Sequence, residues 1–238
     1  MPDVTLRPGV QTLILRPNGR FFERDPMATT TRLRKGEATR RLILERAAPV
    51  FNQRGYAGAS MSELVEATGI EKGGIYNHFG SKEELAVEAF DYAIELIVEG
   101  YASVQEGKVG LDRLVAIIEI FGDWSGHPLV KGGCPIMNTA IEADDTNPAL
   151  AARARAAMDS WHRLIGSIVK EAKAGNEIDA DVDPYELATL VTSTLEGSLM
   201  QTRLFGDPVY KRRAVASLVE HVESLRTAPR QRKRGASR

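Results

Sequence analysis

The chain has 238 residues, 43% hydrophobic and 26% charged, with a formal net charge of −1. That length buries a substantial core and permits one large domain or two small ones. The near-neutral balance excludes a protein that coats nucleic acid indiscriminately, and no apolar run reaches bilayer-spanning length.

The charge is unevenly spread. Between Arg32 and Lys82 nine Lys/Arg face five Glu, a local net of +4, so a basic amino-terminal region sits beside a neutral-to-acidic remainder. A lone cysteine, Cys134, forbids an intrachain disulfide and fits a reducing compartment. The first 30 residues lack a secretory apolar stretch, and a cytoplasmic location is expected.

Residues 1–36 read as a flexible or basic extension. Pro2, Pro8, Pro17 and Pro26 punctuate them, and the 16–20 cluster RPNGR suggests a turn between two short extended runs. A hairpin, a mobile arm, or sequence upstream of a start at Met27 all fit; a poorly ordered extension is favoured.

Helical periodicity begins near Glu37, with Ile43, Ala47, Val50 and Phe51 on one face and Gly55 at the end. Ser60 and Glu63 form a capping box that starts a second helix, whose inner stripe is Met61, Leu64, Val65 and Thr68. Gly69 turns the chain into a third helix, Glu71 to Phe79. Gly80 closes it, Ser81 and Glu84 make another capping box, and a longer helix runs to about Gly100. Further helices are predicted over 110–124, 135–143, 148–174, 184–205 and 208–226, with Pro135, Pro148, Pro184 and Pro208 at first-turn positions. No strand pattern follows residue 25, so the fold class is all-α. The tail, 228–238, is basic and predicted disordered.

The third helix is the informative one. It carries Lys72, Tyr76, Asn77 and His78 but little apolar bulk beyond Ile75 and Phe79. Two helices joined by a glycine turn, the second rich in donors, fit a helix-turn-helix over 60–79. Lys72 suits a guanine edge or a phosphate, Tyr76 and His78 suit phosphate oxygens, and Asn77 a base edge or solvent. Gly73 permits close approach to another surface. Lys82 stands in the next helix's first turn, where free backbone amides favour an anion. Ser60, and Arg34 and Lys35 in the basic approach, complete the expected DNA-binding set.

At these residues the sequence resembles the amino-terminal domain of TetR-family transcriptional repressors. The shared features are Gly55-Tyr56, Ser60, Lys72-Gly73, Tyr76, His78-Phe79, Ser81-Lys82-Glu83 and Leu85. Two departures stand out. Glu71 replaces a usual Ser or Thr, and Gly74 occupies a place where other members often present a base-reading side chain. The resemblance implies a DNA-binding domain over 37–97, an effector-binding and dimerisation domain over 98–227, a homodimer, double-stranded operator DNA and a small-molecule effector as partners, and no cofactor.

Two apolar stripes fit an intersubunit four-helix interface or each subunit's own core: Leu187, Leu190, Val191, Thr194, Leu195 and Ser198, and Met158, Trp161, Ile165, Ile168 and Ala172. The segment GGCPIMNTAIEADD places Cys134 at a helix start, with Asn138 and Glu142 following at i+4 and i+8. It resembles a TetR subgroup with G-C-x-x-x-N-x-x-x-E in the effector region, some of whose members are thought to sense electrophiles. Cys134, Asn138 and Glu142, with Phe121, Trp124 and Trp161 as aromatic walls, are the expected effector pocket; a buried apolar role for Cys134 and a surface role for Glu142 compete.

Catalysis finds little support. Cys134 with His127 or His162 lacks a third orienting group, and the four histidines show no metal-ligand spacing. A helical interaction protein without DNA binding is the remaining alternative, opposed by donors at the phosphate-facing positions.

Overall fold

The computed structural model describes residues 13–15, 21–23, 35–124 and 131–227. Strands β1 (Leu13–Leu15) and β2 (Phe21–Glu23) pair antiparallel, with Leu13 opposite Glu23 and Leu15 opposite Phe21. The leading segment therefore contains this one short strand pair among its described residues. The rest is helical: α1 (Lys35–Gly58), α2 (Met61–Thr68), α3 (Lys72–Tyr76), α4 (Lys82–Gln105), α5 (Gly110–Trp124), α6 (Pro135–Ala143), α7 (Pro148–Ala174), α8 (Pro184–Phe205) and α9 (Val209–Ser224). The all-α expectation holds. No described helix is long and apolar enough to cross a membrane.

Helix starts follow local chemistry. Asp183 caps α8 by accepting from the Tyr185 and Glu186 amides, which hold its carboxyl below the usual range. Pro184 and Pro135 open α8 and α6 at positions that need no amide donor; Pro208 itself caps α9.

By packing, the chain groups into two units, 1–103 with 124–160, and 104–123 with 161–238. The first unit's core joins Ile43 and Ala47 of α1, Leu64 of α2, Ile75 and Phe79 from the α3 segment, and Leu85 of α4. A second cluster sets Ala86, Phe90 and Ile94 of α4 against Ala143 of α6 and Leu150, Ala154 and Ala157 of α7.

In the second unit Leu111, Leu114, Ile117 and Ile118 of α5, Ile165, Ile168 and Val169 of α7, and Leu195 of α8 are fully buried. Arg226 pairs with Asp112, Glu177 and Glu223, fastening the segment after α9 to the α5 start and the α7–α8 loop. Both stripes considered for the dimer lie mainly in this interior: Leu187, Val191, Leu195 and Ser198, and Ile165, Ile168 and Ala172, are buried.

One carboxylate works against the fold. Asp91 of α4 pairs with Arg153 of α7 at 3.6 Å, yet burial, helped by the nearby Glu95 and Glu88 charges, raises its pKa from 3.8 to about 6. The folded state thus holds this proton more tightly than the unfolded chain. The penalty is absent below pH 3.8, grows as pH rises to about 6, and is full above that. Asp91→Asn is expected to stabilise the protein at pH 8 by roughly 2 kcal/mol, with the gain vanishing toward pH 4. Urea unfolding at the two pH values checks it.

Candidate nucleic-acid interface

The turn between α2 and α3 is built from the inside. Thr68 is buried; its hydroxyl donates to the Leu64 carbonyl at 2.7 Å and accepts from the Ile70 amide at 3.2 Å. Arg46 of α1 donates to the Thr68 carbonyl at 2.9 Å. Gly69 then takes φ 68°, the left-handed conformation that ends α2. At the other end Ser60 and Glu63 form the expected reciprocal capping box. Bonds from the Ser60 backbone and hydroxyl hold the Glu63 carboxyl below its ordinary value.

α3 is shorter than expected. It closes at Tyr76, and Asn77 and His78 lie in the following turn, where the His78 and Phe79 amides both donate to the Ile75 carbonyl at 3.0 Å. The cause is packing: Ile75 and Phe79 are each 1% exposed and anchor the segment from below, while Arg40 lies over the Phe79 ring at 4.6 Å and pairs with Glu88. Glu71, at the cap position, makes no side-chain cap bond.

That anchoring leaves one face outward. Lys72, Gly73, Tyr76 and Asn77 are exposed and His78 is half-buried; the Lys72 ammonium lies 6.0 Å from the Tyr76 ring centroid. A Cβ built on Gly73 meets nothing within 4 Å, whereas one on Gly74 would press on Ile70 at 2.8 Å. Gly74 therefore turns toward Ile70 rather than to the outside, so its lack of a side chain serves packing.

Two expected DNA ligands are occupied within the protein. The Ser60 hydroxyl donates to Glu63 at 2.9 Å. The Lys82 ammonium donates to the Tyr56 carbonyl at 2.5 Å and lies 4.5 Å from the Tyr56 ring centroid. Arg34 lies outside the described residues. Lys35 begins α1, but its side chain is also outside them, as is that of Trp124 at the end of α5.

The 131–142 segment does something the sequence did not announce. Cys134 occupies the α6 cap position, half-buried, and its thiol makes no cap bond. The Asn138 amide nitrogen donates to the Asn52 carbonyl (3.2 Å), the Asn52 side-chain oxygen (3.0 Å) and the Gly132 carbonyl (2.9 Å). The Asn52 amide nitrogen in turn donates to the Lys131 and Gly133 carbonyls. Glu142 accepts from the Tyr56 amide at 2.8 Å and the Ala57 amide at 2.9 Å. Asn138 and Glu142, expected at a pocket, spend these polar atoms on α1.

Phe121 is half-buried on α5. Trp161 of α7 donates its indole N–H to the buried Thr192 hydroxyl of α8 at 3.0 Å. Both belong to the second unit, whereas Cys134, Asn138 and Glu142 belong to the first.

Family models match most of the helical chain: "Bacterial regulatory proteins, tetR family" over residues 43–89 and "Tetracyclin repressor-like, C-terminal domain" over 110–218. A TetR transcriptional regulator from Chloroflexus aurantiacus superposes with a TM-score of 0.78 at 42% identity, covering 82% of this chain and 100% of that one. The TetR-family regulator from Cytophaga hutchinsonii gives 0.76 at 30% identity, covering 84% and 100%. A helix-turn-helix-type transcriptional regulator of Mycobacterium tuberculosis is 30% identical over 180 residues, 72% of this chain and 87% of its own length.

Proposed function

Since the chain belongs to the TetR family of transcriptional regulators, we propose that it is a homodimeric repressor that binds operator DNA and leaves it when a small molecule binds the carboxy-terminal region. Its relatives are regulators, not enzymes, which removes the cysteine–histidine catalytic alternative. The observation that carries the proposal is the outward face of α3, where Lys72, Gly73, Tyr76 and Asn77 stand exposed on a base of buried Ile75 and Phe79. A short helix held from below, with donors above, fits the floor of a major groove.

Arg34, Lys35 and His78 are proposed as further DNA contacts. The domains follow as 37–97 for DNA and 98–227 for effector and dimer, in a cytoplasmic protein. An electrophilic effector acting at Cys134 is the reading that Cys134→Ser tests: undiminished release from DNA by electrophiles would end it.

Gly73 offers a clean check of the interface. With open space around its added Cβ, Gly73→Ala is expected to keep wild-type stability yet weaken duplex binding about tenfold, or 1.4 kcal/mol, by holding the helix off the groove. A thermal melt beside a binding isotherm separates the two.

A second copy of the chain fits the exposed apolar residues of α8: Met200 is 52% exposed, Leu204 71% and Phe205 60%, with Phe205 stacked on Tyr210 of α9 at 5.0 Å. Large exposed apolar groups grouped this way mark an interface. Leu204→Glu combined with Phe205→Glu should yield a folded monomer by analytical ultracentrifugation.

Binding should weaken steeply with salt, because cations released from phosphates drive it. Effector and operator must also weaken each other's binding by the same factor. Titrating effector with and without operator tests the proposal; equal affinities would overturn it.

A further inference from the structure

We propose that Glu142, supported by Asn138, is a positioning residue for the DNA-reading helix, acting through Tyr56 and Lys82, and that Lys82 serves DNA binding from within the protein rather than as a phosphate ligand. This rests on the operator-binding reading given above.

The device starts at Gly55, whose φ of 74° and ψ of 169° break α1. A new helical turn begins there, since the Ala59 amide donates to the Gly55 carbonyl at 3.0 Å. The first amides of any helical turn have no acceptor of their own. Here those amides are Tyr56 and Ala57, and the acceptor is supplied by another helix: each Glu142 carboxylate oxygen takes one of them. A carboxylate is favoured at such a terminus by both hydrogen bonding and the peptide dipoles. Gly55 is required for the contact, because a Cβ there would strike the Glu142 carboxylate.

From Tyr56 the connection continues to the reading helix. The peptide plane whose N–H is adjacent to Glu142 sets where the Tyr56 residue lies, and the Tyr56 carbonyl and ring together hold the Lys82 ammonium. Lys82 opens α4, six residues beyond the end of α3. On the other flank the Arg54 guanidinium pairs with Glu63 at 3.4 Å in the first turn of α2. The break in α1 thus touches the start of α2 and the start of α4, the two elements that bracket α3. Asn138 and Asn52 hold the 131–138 segment to the preceding turn of α1, which fixes where α6 presents Glu142.

The test uses the full-length protein and a duplex selected from a random pool by the wild type. Lys82→Met keeps the stem against Tyr56 and removes the ammonium; Glu142→Gln removes one of two acceptor oxygens; Glu142→Asp retains the charge. Lys82→Met and Glu142→Gln should each weaken binding about tenfold, with the slope of log K against log salt unchanged, partial recovery in Glu142→Asp, and a double variant much weaker in effect than the product of the singles. Amide exchange over residues 70–82, measured without DNA, should quicken in both.

A slope shallower by about 0.9 per lost phosphate contact in Lys82→Met, additive effects in the double variant, or wild-type affinity in Glu142→Gln would each overturn the relay alone. A wild type that selects no duplex would overturn the operator reading and the relay with it. If Glu142→Gln does not fold, the slope in Lys82→Met decides.

Discussion

Replacing Lys72 and Tyr76 together by alanine is expected to leave the thermal midpoint within a degree or so of wild type and to reduce duplex affinity roughly a thousandfold. Both side chains are exposed, and neither belongs to the core formed by Ile43, Ala47, Leu64, Ile75, Phe79 and Leu85. Their one mutual contact, the ammonium 6.0 Å from the tyrosine ring centroid, is weak at an exposed site. At about 1 kcal/mol per side chain and four side chains in the proposed dimer, the loss is about 4 kcal/mol, on the order of a thousandfold. The salt slope should also flatten by about 1.8, the share of two lysines. Retained affinity with an unchanged slope would show that this face does not meet DNA.

The second large effect is on stability. Gly55→Ala should destabilise the protein by about 2–5 kcal/mol, combining backbone strain at positive φ with the loss of Glu142 as acceptor for two amides. Strain at φ 74° is unavoidable for alanine, and the new methyl would displace the Glu142 carboxylate from the two amides. A loss of this size is a large part of an ordinary domain's margin. Removing the carboxylate as well, in Gly55→Ala with Glu142→Ala, should cost less than the sum of the singles, because the collision is gone while the strain remains. Chemical denaturation of the four proteins measures this; a single variant within 0.5 kcal/mol of wild type would contradict it.

Local pattern made the helices legible. Capping boxes at Ser60–Glu63 and Ser81–Glu84, prolines at 135, 148 and 184, and the glycine at 69 each act over a few residues, and the elements begin and end close to them. Even there a detail differs: Glu84 accepts from Gly80, one residue before the cap, while Ser81 accepts from Glu84. The end of α3 was overestimated because Phe79, at helical spacing from Ile75, reaches the core from a turn equally well.

What the sequence concealed depends on partners distant in the chain. An apolar stripe such as Leu187, Val191 and Leu195 has the same spacing whether it faces its own core or another subunit, and here it is buried within the chain while Met200, Leu204 and Phe205 are exposed. Asn138 and Glu142 followed their helix as expected, but their acceptors and donors, Asn52, Tyr56 and Ala57, lie more than 80 residues earlier. The Gly55-Tyr56 pair read as a helix end, which it partly is; that its free amides are satisfied from α6 left no local mark. Lys82 is the reverse case: its position in a first helical turn suggests an anion, and in this structure its ammonium is on the Tyr56 carbonyl, a partner the local sequence does not mark.

The most direct test is selection of duplexes from a random pool by the purified full-length protein, followed by footprinting on the enriched sequence. Two α3 helices in successive major grooves require a two-fold symmetric site with half-site centres about 10 base pairs apart, protected on one face of the duplex. Enrichment of such a site, lost when Lys72 and Tyr76 are replaced, is the predicted result. No enrichment, or protection that survives their replacement, would contradict the assignment of α3 as the reading helix.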